Sequence, residues 1–138
     1  MRVGKVSLKI STSLSFDREK KKTLSQYLPY CVRSLGLEKD YTGYLIDDRE
    51  KYDIQSTAYS NYAKREFYIY CKDRAFADVL RSIAHELAHF SQGENNEIEG
   101  ERLHFSSEYE DEANAFAGQM LNAFSEVMGY EKIFERKK

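Results

Sequence analysis

Along residues 73–91 the apolar side chains Phe76, Val79, Leu80, Ile83, Leu87 and Phe90 return every three or four positions, a spacing that only a helix with one buried face satisfies. Such a helix cannot bury its stripe alone, so the rest of the chain must supply a surface for it. Asp73 is placed to cap its start. His85 and His89 project from the opposite side, one turn apart and facing the same way. Ala77, Ala84 and Ala88 lie on the flank between these faces, where small side chains let a further element approach closely.

The surface for that stripe is expected from the preceding residues. Over residues 3–11, Val6, Leu8 and Ile10 alternate with Lys5, Ser7 and Lys9, the pattern of a half-buried strand. From Asp17, a good N-cap, Leu24, Tyr27, Leu28, Cys31, Val32 and Leu35 recur at helical spacing as far as Gly36, a C-terminal stop. Pro29 predicts a kink in that helix, or a split into two shorter ones. Residues 42–46, 55–62 and 66–70 read as short strands, the last two joined through Ala63, Lys64 and Arg65 as a hairpin. A final helix is predicted over 108–128, after a polar loop of some fifteen residues. A loop that long in so compact a chain is more often functional than incidental. The expected class is α+β: a small, mostly antiparallel sheet of three to four strands packed on the histidine-bearing helix, with an N-terminal helix and a C-terminal helix carrying a glutamate.

The 138 residues suit one domain, 1–138, and 41% hydrophobic residues supply its core without staples. Cys31 and Cys71 are 40 positions apart with no CxxC spacing, and the first residues lack the apolar run of a signal peptide. Both lead to the expectation of a reducing, cytoplasmic setting. No stretch is apolar enough to cross a bilayer, and 21 basic against 23 acidic residues give no general pull toward nucleic acid. Neither a membrane nor a nucleic-acid partner is therefore expected.

Residues His85-Glu86-Leu87-Ala88-His89 form an HExxH sequence, whose logic is two imidazole ligands for one zinc ion and a carboxylate, Glu86, acting as general base. A catalytic zinc needs a third protein ligand. In the last helix Ala113, Phe116, Ala117, Met120, Leu121 and Phe124 mark an apolar face; Asp111 and Glu112 point away from it, and Glu110 falls within it. An ionised carboxylate among apolar neighbours is costly unless a cation compensates, which makes Glu110 a metal-ligand candidate. The alternative is that Glu110 closes a capping box with Ser107.

HELAH followed by Glu110-Asp111-Glu112-Ala113-Asn114-Ala115-Phe116-Ala117 resembles the gluzincin metallopeptidases, especially the minimal ones and the ImmA-like group, over residues 73–124. The resemblance implies a zinc-dependent peptidase that hydrolyses peptide bonds through a metal-bound water activated by Glu86. His85, His89 and Glu110 would be its metal ligands. It further implies that Asn114 orients His85 and that residues 57–62 form a rim pairing with a peptide or protein substrate. His104 or Tyr109 would serve as a transition-state donor, with Tyr59, Tyr62 and Tyr130 as further hydroxyl or phenol candidates. The metzincin pattern is excluded, because Gln92 and Asn95 stand where it requires glycine and histidine. His104 follows His89 by 15 residues, a separation similar to that of SprT-like proteases, which makes it a rival third ligand. A different class of reading is a zinc-stabilised binding or regulatory module, in which the metal only ties two helices together. The lack of an evident fourth protein ligand favours catalysis over that role.

Overall fold

The computed structural model describes residues 2–95, 107–129 and 133. In chain order the elements are β1 (Val6–Ile10), α1 (Arg18–Leu35), β2 (Tyr41–Ile46), β3 (Ala58–Asn61), β4 (Glu66–Tyr70), α2 (Phe76–Glu94) and α3 (Ser107–Met128). The class is α+β, with three helices on a four-stranded mixed sheet among the described residues.

The sheet order is β1-β2-β4-β3, and two of its three pairings are parallel: β1 with β2, and β2 with β4. Only β3 and β4 run antiparallel, as the expected hairpin, with Arg65 taking a positive φ of 54° in the turn. The expectation of a mostly antiparallel sheet is thus corrected. Strand alternation reveals which side chains share a face and carries no information about partner direction. Direction is decided by connections: α1 is a helical crossover between β1 and β2, the usual means of making neighbours parallel.

Alternation sends Val6, Leu8, Ile10, Leu45, Phe67 and Ile69 toward the helices, where Leu45, Phe67 and Ile69 are fully buried. The opposite face carries a row across all four strands, Lys9, Tyr44, Tyr68 and Tyr59, with Tyr44 and Tyr68 stacked at 4.7 Å. Gly43 is required on the helix side of β2, because a Cβ there would collide with the Phe67 ring and the Leu8 side chain.

Helix α1 begins as expected: the Asp17 carboxylate accepts from the Lys20 backbone N–H at 2.8 Å, and Gly36 ends the helix at φ 68°. It runs unbroken through Pro29, without the predicted split. Proline removes a single intrahelical bond, and here it lies on the exposed side while Tyr27, Leu28, Cys31 and Val32 are held in the core on both flanks. Tyr27 inserts its hydroxyl against the Leu80 carbonyl at 3.1 Å and its ring against Phe124 at 4.9 Å, tying α1 to both other helices.

Helix α2 starts two residues later than Asp73 would have it, with Ala75 as N-cap and no side-chain cap bond. Asp73 instead takes a left-handed φ of 59°, a conformation aspartate tolerates, and turns the chain out of β4. Arg74 steadies this turn by donating to the Tyr70 carbonyl at 2.8 Å and to Ser82 Oγ at 2.9 Å. The helix also runs on to Glu94, whose carboxylate accepts from the Glu38 N–H at 2.8 Å and the Tyr41 hydroxyl at 2.5 Å. Val79, Leu80, Ile83 and Leu87 are wholly buried, as the stripe required, and Phe90 meets Tyr41 and Tyr62 at ring distances of 4.3 and 4.9 Å. Ala77, Ala84 and Ala88 are buried too. No helix among the described residues is long and apolar enough to cross a membrane.

Candidate metal centre

Four residues apart on α2, the His85 and His89 rings lie edge to face with centroids 4.7 Å apart. The first turn of α3 brings in Glu110, whose Oε1 is 2.6 Å from His89 Nε2 and whose Oε2 is 3.6 Å from His85 Nε2. One ligand atom from each residue lies within 4.8 Å of the other two, and among the described residues this is the group of histidine, cysteine and acidic side chains that could hold a metal ion. Ligand atoms around a tetrahedral ion with bonds of about 2.0–2.1 Å stand roughly 3.3 Å apart, and the two Nε2 to Glu110 distances bracket that value. His85 Nε2 is sealed from solvent and makes no hydrogen bond among the described residues, an arrangement that costs stability unless a cation or donor arrives there. Two imidazoles and a carboxylate are a donor set that a zinc ion accepts.

Glu110 is less buried than its position on the helical wheel suggested, with 45% of its side chain exposed. The first turn of α3 is exposed or half-buried and the buried face of the helix begins only at Ala113, so the carboxylate meets the histidines near the surface. Ser107 is the first residue of α3, and both Glu110 oxygens are turned to the two imidazoles rather than back toward it.

Each imidazole is oriented through its other nitrogen. His89 Nδ1 is 2.8 Å from Gln92 Oε1, while Gln92 Nε2 donates to the Tyr109 carbonyl and to Glu112 Oε1, both at 3.0 Å. Because the Gln92 amide nitrogen faces two acceptors, its oxygen faces the imidazole and can only accept. Nδ1 therefore carries a proton, which leaves Nε2, beside Glu110 Oε1, as the nitrogen that would face a metal ion. His85 Nδ1 lies 3.0 Å from Glu86 Oε2 in the same manner. That hydrogen bond leads in holding the His85 imidazole above its ordinary value, against the opposing effect of burial.

Glu86 is 7% exposed and its second oxygen, Oε1, accepts from Ser60 Oγ on β3 at 2.7 Å. Beside them is Tyr62: burial, then the negative field of Glu86, push its phenol well above the usual range, so it stays a proton donor at neutral pH. A cleft of about 320 Å³ opens here, walled by Ser56, Thr57 and Ala58 on one side and by Arg81, His85 and Glu86 on α2. Asn114 of α3 lines it as well, and the partner of His85 Nδ1 among the described residues is the Glu86 carboxylate, which accepts from it. Tyr109 contributes its backbone carbonyl to Gln92. His104 and Tyr130 lie outside the described residues.

Gln92 and Ser60 are the residues that sequence reasoning passed over. Gln92 carried a signal, since a polar residue three positions after His89 shares its helical face. Ser60 carried none, because its neighbour Glu86 is 26 positions away. Compared with protein-family models, with curated proteins and with solved structures, the chain matches none of them.

Proposed function

We propose that this chain is a zinc-dependent peptidase, with His85, His89 and Glu110 holding the ion and Glu86 acting as general base. The observation that carries the reading is the convergence of His85, His89 and Glu110, with the buried Glu86 carboxylate paired to His85 and lining, with it, an open cleft. Zinc held there would supply Lewis acidity, activating a water and polarising a substrate carbonyl. Glu86, steadied by Ser60 and His85, would accept a proton from the attacking water and return it to the leaving amine. Tyr62 is a hydroxyl donor within the field of Glu86 and Glu110, suited to stabilising charge that develops on the carbonyl oxygen. A peptide entering the cleft in extended form would lie against the edge strand β3, and its main chain would pair there. A site that used zinc only to join two helices would gain nothing from Glu86 and would more often complete the shell with a fourth protein ligand.

Zinc content and cleavage of an unfolded protein should be measured for wild type, Glu86→Gln and Glu110→Ala. The expected result is about one zinc per wild-type chain, retained in Glu86→Gln with cleavage abolished, and lost in Glu110→Ala. Absence of zinc from the wild type would overturn the reading, and zinc in a protein that cleaves nothing would move it to a regulatory module.

A further inference from the structure

At the sheet edge away from β3, β1 has a neighbour on one side only among the described residues. Two hydrogen bonds at its ends set its hydrogen-bonding phase: the Tyr41 N–H donates to the Lys5 carbonyl and the Ser11 N–H to the Leu45 carbonyl, each at 2.9 Å. In a parallel ladder the alternate residues serve the neighbouring strand, so Lys5, Ser7, Lys9 and Ser11 are turned to β2. The N–H and C=O groups of Val6, Leu8 and Ile10 face outward, and none of them hydrogen-bonds to another described residue. An open row of this kind is a template for one more strand.

Alongside that row runs a groove of about 490 Å³ between β1 and α1, with Val6, Leu8, Leu24 and Leu28 among its apolar walls. Pro29 is in its lining as well, together with Ser25, whose carbonyl is the one that a proline four residues later leaves without its helical N–H. Among the described residues, Lys5, Lys21 and Arg33 are the charged residues of the lining, and no acidic residue contributes to it. On the outer face of β1, Lys5 and Lys9 are exposed and share one side.

We propose that the free edge of β1 and the adjoining groove dock an extended peptide segment in which acidic and apolar residues alternate. Its main chain pairs with Val6, Leu8 and Ile10. Its apolar side chains fall on the groove side, and its carboxylates fall beside Lys5 and Lys9, where opposite charges across strands stabilise the pair. A second copy of this chain is the poorer occupant, because two β1 edges brought together would set lysines against lysines. The surface is separate from the metal group, so this inference stands or falls independently of peptidase activity.

The probe is a blocked, fluorescein-labelled peptide of alternating glutamate and valine, with a lysine–valine peptide and an N-methylated glutamate–valine peptide as comparisons. Expected is saturable binding of the first alone, with slowed hydrogen exchange at the Val6, Leu8 and Ile10 amides. Binding should weaken by at least about tenfold when the N-methyl groups remove the peptide's donors, and similarly in Lys5→Glu/Lys9→Glu. Equal binding of the lysine peptide would overturn the proposal. So would unchanged exchange at the three amides, or their protection without peptide in a protein that sediments as a dimer.

Discussion

At the scale of single residues, the candidate site is held together by amide and hydroxyl groups that do not themselves ligate. Gln92 links His89 on α2 to the backbone and side chain of α3, so it orients an imidazole and docks the helix that carries Glu110. Replacing Gln92 by Leu keeps the bulk and removes that link. Zinc affinity, read by competition with a chelator, should then fall about 10- to 100-fold, and unchanged affinity would mean that Nδ1 needs no partner. Ser60 acts differently, on the carboxylate alone. Ser60→Ala should lower kcat while leaving KM and zinc content near the wild-type values. HExxH was legible because the two candidate ligands and the candidate base lie within five consecutive residues of one helix. Ser60 was not, since a contact between a strand and a helix 26 positions on has no periodic signature.

The elements show the same division. Both ends of α1 were readable from Asp17 and Gly36, because capping is a contest among neighbouring residues. The start of α2 was misread, since Arg74 and the turn out of β4 outweighed the capping preference of Asp73. Strand direction lay beyond the sequence pattern altogether. Once the sheet is assembled, a single glycine decides how closely β2 and β4 carry their side chains: at Gly43 the Phe67 ring fills the space where a Cβ would stand. Gly43→Ala should therefore destabilise the fold by about 1–3 kcal/mol through overpacking. Urea unfolding followed by circular dichroism would measure this, and a neutral outcome would show that Phe67 can move aside at little cost.

Across the whole molecule, burial sets the chemistry of groups far from the cleft. Cys31 and Cys71 are free and buried, and desolvation pushes each thiol from 9.0 up to about 12. Neither thiol should react with a thiol reagent at mildly alkaline pH until denaturant is added, and labelling at the unfolded rate would contradict the packing. For a neutral acid with a raised folded value, the stabilising contribution is complete below pH 9.0 and is lost as pH climbs from there toward 12. Urea midpoints should fall over that window, and less steeply in Cys31→Ala/Cys71→Ala. The sequence by itself determined the helices, the faces of the strands, the HExxH turn and the candidacy of Glu110, all of which rest on spacing along one element. Only the tertiary structure decided that the sheet is mainly parallel, that Glu110 approaches the histidines from a half-exposed edge, and that Gln92 and Ser60 orient the site. Those outcomes depend on which separate elements pack together, and the burial energy that selects one packing is summed over the whole core rather than encoded in any local pattern.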